Sequence, residues 1–331
     1  MKPRKNILLI RFKAIGDVVL TLPAVHAVRE NFPDAHLTFF TVRENAPLLQ
    51  GFRDVDEVIA LDRTALKSPL RAAPEFFRLL RRLRAGKFSL VIDLQGYGET
   101  AWLTRLTGAR ERWGTVYGRG REWAYTRGLT RKDDLHPADW NLFLLRECGL
   151  KIGETKNQFC LPDDALAAAK KIFAENKLDS AKPTLFLQPF TSSPHKNWPL
   201  ANYLAVARHW QARGVQIIFG GGTGDSVALA PARAEKFPVL AGVPLLVTGG
   251  LMQLSALVLG GDTGMLHLAV AQRKRALMLV HNLSPGRPIL FQHRDWVLSA
   301  PQPDHLDSIT VESVIAETGK VLNPPVGNVS C

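Results

Sequence analysis

The chain alternates short, uninterrupted apolar runs with longer segments whose apolar residues recur at helical spacing. In the first half the runs cover 6–12, 35–41, 55–61, 89–94 and 111–116, and helical spacing appears at 18–31, 74–85 and 137–148. A strand that is buried on both faces reads as a continuous apolar run, which is typical of a parallel sheet with helical crossovers. The first half therefore predicts a doubly wound α/β domain.

The second half repeats this pattern. Strands are predicted at 184–189, 215–219 and 275–281, and helices near 199–213, 225–236, 251–259, 263–272 and 310–322. A length of 331 residues suits two domains at about 150 residues each. We predict an N-terminal domain at 1–160, a linker or hinge region at 161–183 and a C-terminal domain at 184–331. Two such domains facing a central cleft would bind ligands at the carboxyl ends of their strands.

Composition excludes several other classes of protein. Hydrophobic residues make up 46% of the chain, which is enough for a packed core. The three cysteines, Cys148, Cys160 and Cys331, are an odd number without metal-ligand spacing, so we expect a reducing compartment and no metal site. The apolar run 7–10 is broken at Arg11 and reads as a strand rather than an export signal, and no run reaches the ~18 apolar residues of a membrane span.

Positive charge is concentrated in the first half. Lys+Arg 42 minus Asp+Glu 30 gives +12, of which residues 1–160 carry +9. Residues 63–87 hold eight basic residues and one acidic residue, and 105–132 hold eight more basic residues. Such density favours a phosphorylated or membrane-surface partner. Nucleic acid is not expected, because no basic strand carries interleaved aromatic residues.

Gly16 and Asp17 join the first predicted strand to the first predicted helix. The glycine permits a tight turn, and a carboxylate is stabilised near the positive end of the helix dipole. Asp17 is therefore either a helix cap or a carboxylate at the edge of a cleft that accepts a proton from a hydroxyl. The segment lacks the Gly-x-Gly-x-x-Gly spacing of a dinucleotide site, which argues against a dehydrogenase.

The segment Gly260–Leu268 predicts an anion site at the start of a helix. Asp262 and Thr263 are good capping residues, and Gly264 has no side chain where a phosphate would approach the first N–H groups. His267 follows within one turn and belongs either to this site or to the core as a hydrogen-bonded histidine.

Two further loops follow predicted strands of the second half. Thr191, Ser192 and Lys196 can hold phosphate oxygens, and the lysine can stabilise a departing diphosphate, although a solvated polar loop has the same composition. The glycine-rich 220–224 lets a nucleotide approach, and Asp225 can accept from ribose hydroxyls; the alternative is a structural turn. This loop lacks the Gly-Lys-Ser/Thr ending of a P-loop.

Asp54-Val55-Asp56 matches the Asp-x-Asp pattern of metal-dependent sugar transferases. The pattern has no cluster of potential ligands nearby, and it opens the predicted strand 55–61. We interpret it as a turn.

These motifs, in this order, resemble glycosyltransferase family nine, the ADP-heptose:lipopolysaccharide heptosyltransferases. The residues that carry the resemblance extend over nearly the whole chain: Arg11, Gly16-Asp17, Pro23, Asp93-Leu94-Gln95-Gly96, His195-Lys196-Asn197-Trp198-Pro199, Gly261-Asp262-Thr263-Gly264 and His267-Leu268-Ala269.

The resemblance implies two Rossmann-like domains in the GT-B arrangement, with the acceptor bound mainly by the first and the nucleotide sugar by the second. It implies inverting, metal-independent transfer of a heptose from ADP-heptose, a substrate rather than a cofactor, to the lipopolysaccharide inner core. The acceptor is then an anionic, lipid-linked oligosaccharide, and the protein is cytoplasmic, in peripheral contact with the cytoplasmic face of the inner membrane.

The resemblance also implies roles for individual residues. Asp17 resembles the general base, and Lys196 resembles the group that stabilises the leaving ADP. The remaining positions resemble the donor-binding site: Thr191 and Ser192 at the phosphates, Asp225 at the ribose, and Asp262, Thr263, Gly264 and His267 in the donor-site segment.

One turn departs from the family pattern. Where the family usually has Gly-Pro-Thr-x-Pro, residues 281–285 read His-Asn-Leu-Ser-Pro. This departure leaves open another nucleotide-sugar donor, or a protein or other glycan as acceptor. A nucleotide-sugar-binding protein without catalysis is the alternative from a different class.

Overall fold

The computed structural model describes residues 5–67, 72–118 and 120–323, which form two compact units. The described residues up to Cys160 form the first unit, together with Pro285–Arg287. Leu161–Ser284 and the described residues from Pro288 onward form the second unit.

The first unit is built on six parallel strands. These are β1 (Asn6–Ile10), β2 (His36–Val42), β3 (Glu57–Leu61), β4 (Leu90–Asp93), β5 (Glu111–Val116) and β6 (Arg127–Thr130), in the order β3-β2-β1-β4-β5-β6. The helices are α1 (Ile15–Val19), α2 (Leu22–Asn31), α3 (Arg63–Lys67), α4 (Ala72–Ala85), α5 (Gly98–Leu106) and α6 (Pro137–Glu147), with 3₁₀ helices at Ala46–Gly51 and Glu122–Ala124. The central strands β1 and β4 are almost wholly buried, which explains their continuous apolar sequence.

The second unit has the same construction. Its strands are β7 (Thr184–Gln188), β8 (Gln216–Gly221), β9 (Val239–Ala241), β10 (Leu257–Gly261), β11 (Ala276–Val280) and β12 (Val297–Ser299), in the order β12-β11-β10-β7-β8-β9. The helices are α7 (Asp163–Glu175), α8 (Leu200–Gln211), α9 (Ala230–Ala234), α10 (Leu245–Leu254), α11 (Gly264–Ala271) and α12 (Val311–Leu322), with 3₁₀ helices at Pro194–Lys196, Thr223–Asp225, Arg294–Trp296 and Leu306–Ser308. Helix α7 falls in the 161–183 region predicted as a linker and packs against α10; a hinge there stays a prediction.

Both sheets have the strand order 3-2-1-4-5-6 when each unit is counted from its own first strand. The expected class of two doubly wound, Rossmann-like α/β domains is thereby confirmed. In such a sheet the strand order reverses between the first and fourth strands, and ligands bind beside the carboxyl ends of those strands. These switch points lie between β1 and β4 and between β7 and β10.

Some predicted elements are wrong. The helix predicted at 251–259 ends at Leu254, and its remainder enters the central strand β10, because a short buried apolar run does not distinguish helix from strand. The helix predicted at 18–31 is divided into α1 and α2, and that at 225–236 shrinks to α9. The edge strands β6, β9 and β12 are additional to the predicted strands.

Among the described residues, no helix is both long and apolar enough to cross a membrane. Cys148 is buried and Cys160 is partly buried, and both are free thiols. Burial raises the pKa of the Cys148 thiol to about 11. Cys331 lies outside the described residues.

Candidate functional site

Asp17 lies in the first turn of α1, the helix that follows β1 beside the switch point of the first sheet. Its Oδ2 accepts a hydrogen bond from the Ala14 N–H at 3.0 Å and lies 2.8 Å from Arg11 Nη2. The first contact caps α1, as one interpretation of the sequence predicts. Both contacts fall on Oδ2, and the side chain is 32% exposed, so Oδ1 is the oxygen able to take a proton from a substrate.

Arg11 and Gln95 tie the turn of Asp17 to the loop that follows β4. Arg11 is nearly buried and donates to the Lys13 carbonyl at 2.9 Å and the Leu94 carbonyl at 2.5 Å. Gln95 Oε1 accepts from the backbone N–H groups of Phe12 and Lys13, each at 3.1 Å. Three hydrogen bonds thus join the two loops at this switch point, and the contacts of Arg11 with Lys13 and Asp17 hold the first loop in shape.

Asp93 fixes the loop of Gln95 through hydrogen bonds to its backbone. It is fully buried at the end of β4, where it accepts from the N–H groups of Gln95 and Gly96 at 2.9 Å and from the Tyr125 hydroxyl at 2.7 Å. Burial raises the pKa of Asp93, although these hydrogen bonds oppose the rise. Gly96 has φ +71°, and a Cβ there would come 2.3 Å from the Thr115 carbonyl oxygen, so the loop requires glycine.

Cationic and aromatic side chains surround Asp17. Burial holds the pKa of Tyr117 above its usual value, although the nearby positive charges of Arg11 and Arg131 oppose the rise. The ring centroids of Tyr97 and Tyr117 lie 5.6 Å apart in an edge-to-face arrangement. Tyr97 is 42% exposed and Tyr117 is 36% exposed. This edge of the first sheet can therefore bind a ligand that carries both negative charge, for the arginines, and a sugar ring, for the exposed tyrosines.

Lys196 and Asp262 meet at the switch point of the second sheet. Lys196 follows β7 and Asp262 follows β10, and Lys196 Nζ lies 2.6 Å from Asp262 Oδ2. Their side chains are 30% and 16% exposed, so the pair is accessible yet partly screened from water. Such a lysine can deliver a positive charge to a diphosphate while the carboxylate fixes its position.

Glycine brings the two loops of this pair close enough. A Cβ on Gly261 would lie 2.8 Å from the Lys196 carbonyl oxygen and 3.0 Å from Thr191 Cγ2. Thr191 is itself held by the loop, since its N–H donates to Asn197 Oδ1 at 2.8 Å and its hydroxyl donates to the Ser193 carbonyl at 2.9 Å. Ser192 in the same loop is exposed.

Helix α11 begins beside the ion pair. Thr263 is its N-cap, with a side chain that makes no capping hydrogen bond, and Gly264 is its first residue. His267 lies one turn along the helix, 4% exposed, with Nε2 4.0 Å from Asp262 Oδ1. The structure therefore brings Lys196, Asp262, Thr263, Gly264 and His267 together, beside the loop of Thr191 and Ser192.

Asp225 stands one strand away, after β8. Its Oδ2 accepts from the Gly222 N–H at 2.7 Å and caps the short 3₁₀ helix. The sequence allowed both a structural turn and a ribose contact here. The cap is present in the structure, and the ribose contact stays a prediction.

His281 also belongs to this region, although the motifs do not include it as a site residue. It directly follows β11, is 8% exposed, and its Nε2 donates to the His195 carbonyl oxygen at 2.8 Å. The two imidazole rings are nearly parallel, with centroids 6.1 Å apart. The departure from the family turn at position 281 was the available signal, because it introduces a large polar side chain beside the loop of Lys196.

The Asp-x-Asp pattern has structural partners. Asp56 Oδ2 accepts from the Leu37 N–H and from Arg29, each at 2.7 Å. Although burial opposes it, these hydrogen bonds hold the pKa of Asp56 below its usual value. Asp54 Oδ2 lies 2.9 Å from His26 Nδ1. Within the described ranges no group of three or more His, Cys, Asp or Glu side chains is arranged to hold a metal ion.

The protein thus consists of two Rossmann-like α/β units, each with a charged side chain at its switch point: a partly exposed carboxylate in the first and a lysine beside a helix N-terminus in the second. The model of glycosyltransferase family 9 (heptosyltransferase) matches residues 76–312. The chain belongs to this family and is a glycosyltransferase, as the motifs predicted. The matched range begins after Asp17, whose role therefore rests on its own geometry.

Individual relatives are distant but match over most of their length. Lipopolysaccharide heptosyltransferase 3 of Escherichia coli is 25% identical over 269 residues, 77% of each chain. A family 9 glycosyltransferase structure from Veillonella parvula has a TM-score of 0.84 at 20% identity and covers 98% of this chain and 99% of its own. The E. coli ADP-heptose lipopolysaccharide heptosyltransferase II has a TM-score of 0.79 at 18% identity, covering 96% and 98%. These two structures share the fold of this chain.

Proposed function

We propose that this glycosyltransferase transfers a heptose from ADP-heptose to the lipopolysaccharide inner core, with inversion and without a metal ion. The observation that carries the proposal is the position of Lys196, which Asp262 holds beside the start of α11, where its ammonium and the first N–H groups of the helix are suited to a diphosphate. The similarity to heptosyltransferases of lipopolysaccharide supports the choice of sugar and acceptor.

In this proposal Asp17 is the general base. Its Oδ1 takes the proton of the acceptor hydroxyl while that oxygen attacks the anomeric carbon of the donor. Arg11 holds Oδ2, so the carboxylate is oriented before the substrate arrives. Attack opposite the leaving group inverts the anomeric configuration in a single displacement.

Lys196 acts on the departing side of the same reaction. The bond between the anomeric carbon and the phosphate oxygen breaks, and the electron pair leaves with ADP. The ammonium of Lys196 and the first N–H groups of α11 stabilise that charge, with Asp262 fixing the lysine. Thr191, Ser192 and His267 line the phosphate region, and Asp225 is the proposed ribose contact.

The acceptor in this proposal is an anionic, lipid-linked oligosaccharide bound by the first unit. The excess of +9 in residues 1–160 and the exposed Tyr97 and Tyr117 near Asp17 support this assignment. We place the protein at the cytoplasmic face of the inner membrane, where such an acceptor is lipid-bound, in peripheral contact with the bilayer. Nucleic acid is not a proposed partner.

The test replaces Asp17 by asparagine. Asparagine keeps an oxygen that can cap α1 but cannot take a proton, so the variant separates the cap from the base. We expect heptose transfer to fall by roughly 100-fold to 10,000-fold, with ADP affinity and melting temperature little changed. Asp62→Asn is the matched control, because Asp62 also caps a helix at this sheet edge through Thr64 and is expected to retain activity. Full transfer by the Asp17 variant contradicts the proposal.

One observation favours a donor other than ADP-heptose as the second candidate: the His281 side chain lies beside the loop of Lys196. A panel of nucleotide sugars, assayed by thermal shift and by turnover, distinguishes the possibilities. Turnover with another nucleotide sugar alone would replace the donor, and stabilisation by ADP without turnover of any sugar would indicate a binding protein.

A further inference from the structure

One face of the first unit exposes large aromatic side chains among arginines. The aromatic–arginine surface consists of Phe76 and Phe77 on α4, Trp102 on α5, Trp123 on the 3₁₀ helix Glu122–Ala124, and the exposed residues Arg78, Arg81 and Arg105. The exposed fractions of the four aromatic residues are 38%, 66%, 60% and 44% in chain order. Contiguous apolar exposure of this kind marks an interaction site in a soluble protein.

The elements that carry this surface are neighbours. Helix α4 packs against α5, and α5 packs against the 3₁₀ helix. The rings of Trp102 and Trp123 lie 4.4 Å apart, and those of Phe76 and Phe77 lie 6.1 Å apart. The exposed aromatic side chains thus form two ring pairs on adjacent elements of the same unit.

Helix α4 has the arrangement of an interfacial helix. Leu79 and Leu83 are buried against the unit, whereas Phe77 points away from that stripe and has Arg81 one turn further along. An exposed phenylalanine flanked by arginines is suited to the boundary between lipid headgroups and acyl chains. Tryptophan likewise favours the interface of a bilayer, with its apolar ring and its polar N–H.

Charge complementarity selects the partner. Of the seven basic residues that the structure describes in 63–87, Arg63, Arg78 and Arg82 pair with carboxylates, and the other four leave an excess of positive charge that would repel a second copy of this surface. An anionic bilayer offers both a negative headgroup layer and an apolar layer beneath it. We infer that the aromatic–arginine surface docks the protein on anionic phospholipid. This inference extends the proposed function. It rests on that function in one respect, the expectation that the acceptor is held in a bilayer.

The test measures binding of the full chain to vesicles of equal parts phosphatidylglycerol and phosphatidylcholine, and to vesicles of phosphatidylcholine alone. We expect binding to the anionic vesicles that weakens with salt. Phe77→Ser should reduce vesicle affinity about tenfold through lost apolar burial. Arg81→Glu should reduce it roughly 25-fold, since reversal changes the charge by two units at about fivefold each.

Matched controls lie in the second unit. Val227 is 86% exposed and Lys171 has a side chain 78% exposed, so Val227→Ser likewise replaces an exposed apolar side chain by serine, and Lys171→Glu likewise reverses an exposed positive charge. Both should bind vesicles as the parent chain does. Unchanged melting temperatures show that the variants fold, as expected for exposed positions.

Three results would overturn the inference: no vesicle binding by the parent chain, equal losses in surface variants and controls, or loss of a dimer in Phe77→Ser without loss of vesicle binding. Because the assay contains no sugar substrate, its outcome is independent of the proposed reaction. Failure of transfer with intact vesicle binding would instead count against the proposed function alone.

Discussion

The Lys196–Asp262 pair gives the sharpest test of how the second unit acts. We predict that Lys196→Met and Asp262→Asn are strongly non-additive in a double-mutant cycle. If Asp262 acts mainly by fixing the ammonium at 2.6 Å, removing the ammonium leaves the carboxylate with little to do. The assay is kcat/KM for sugar transfer in the parent chain, both single variants and the double variant.

The magnitude follows from the environment of the pair. Losing one preorganised group that stabilises developing charge slows catalysis by about 100-fold to 1,000-fold. Since 30% of the Lys196 side chain is exposed, we take the lower end, about 100-fold or about 2.7 kcal/mol. Asp262→Asn keeps a weaker oxygen partner and should cost about tenfold. The double variant should lose about 100-fold, a coupling of about 1.4 kcal/mol.

A matched ion pair tests whether charge removal alone matters. Lys320 Nζ lies 2.7 Å from Glu317 Oε1 on α12, and Lys320→Met with Glu317→Gln should leave kcat/KM unchanged. A loss of about 1,000-fold in the Lys196 and Asp262 double variant, the product of the single effects, would refute the reasoning. Asp262 would then contact the donor independently of the lysine.

Three further predictions concern the supports of the two sites. Tyr125→Phe removes a donor to buried Asp93 and should lower the free energy of unfolding by roughly 1.5–3 kcal/mol at neutral pH, less in acid, measured by urea unfolding. Burial raises the pKa of Asp93, and the hydrogen bond from Tyr125 opposes that rise because it stabilises the ionised carboxylate. Removing Tyr125 therefore costs more at pH values where Asp93 is ionised and less where Asp93 is protonated. Gly261→Ala places a methyl group against the Lys196 backbone and should cost about 1–3 kcal/mol and weaken ADP binding, measured calorimetrically. Cys148, with its pKa near 11, should resist alkylation until the protein unfolds, measured by mass spectrometry.

Each of these has a counterpart elsewhere in the chain. Tyr203→Phe is the control for Tyr125, because its buried hydroxyl has no hydrogen-bond partner among the described residues, and an equal loss in both would contradict the role of Asp93. A Cβ on Gly98 would meet no atom within 4 Å, so Gly98→Ala should be neutral or slightly stabilising; a loss there as large as at Gly261 would contradict the steric explanation. Cys160 is only partly buried and should alkylate first in the folded chain.

The sequence predicts the architecture of this protein better than the details of its sites. Continuous apolar strands and glycine-bearing turns are local signals, so the doubly wound class and the positions of Asp17 and Lys196 after strands could be read directly. The Lys196–Asp262 contact joins residues 66 positions apart, and the Arg11 bond to Leu94 spans 83, so both depend on strand order that local patterns do not contain. The short edge strands and the strand at 257–261 were missed because three to five residues carry too little periodicity to identify strand or helix.

The two units share one strand order, yet corresponding positions in them carry side chains of opposite charge. Asp17 and Lys196 both follow the first strand of their own sheet, and Gln95 and Asp262 both follow the fourth. The position after the first strand thus carries a carboxylate in one unit and an ammonium group in the other. Exchanging these loops between copies would ask whether the scaffold is indifferent to the charge that it presents, as its repeated geometry leads us to expect.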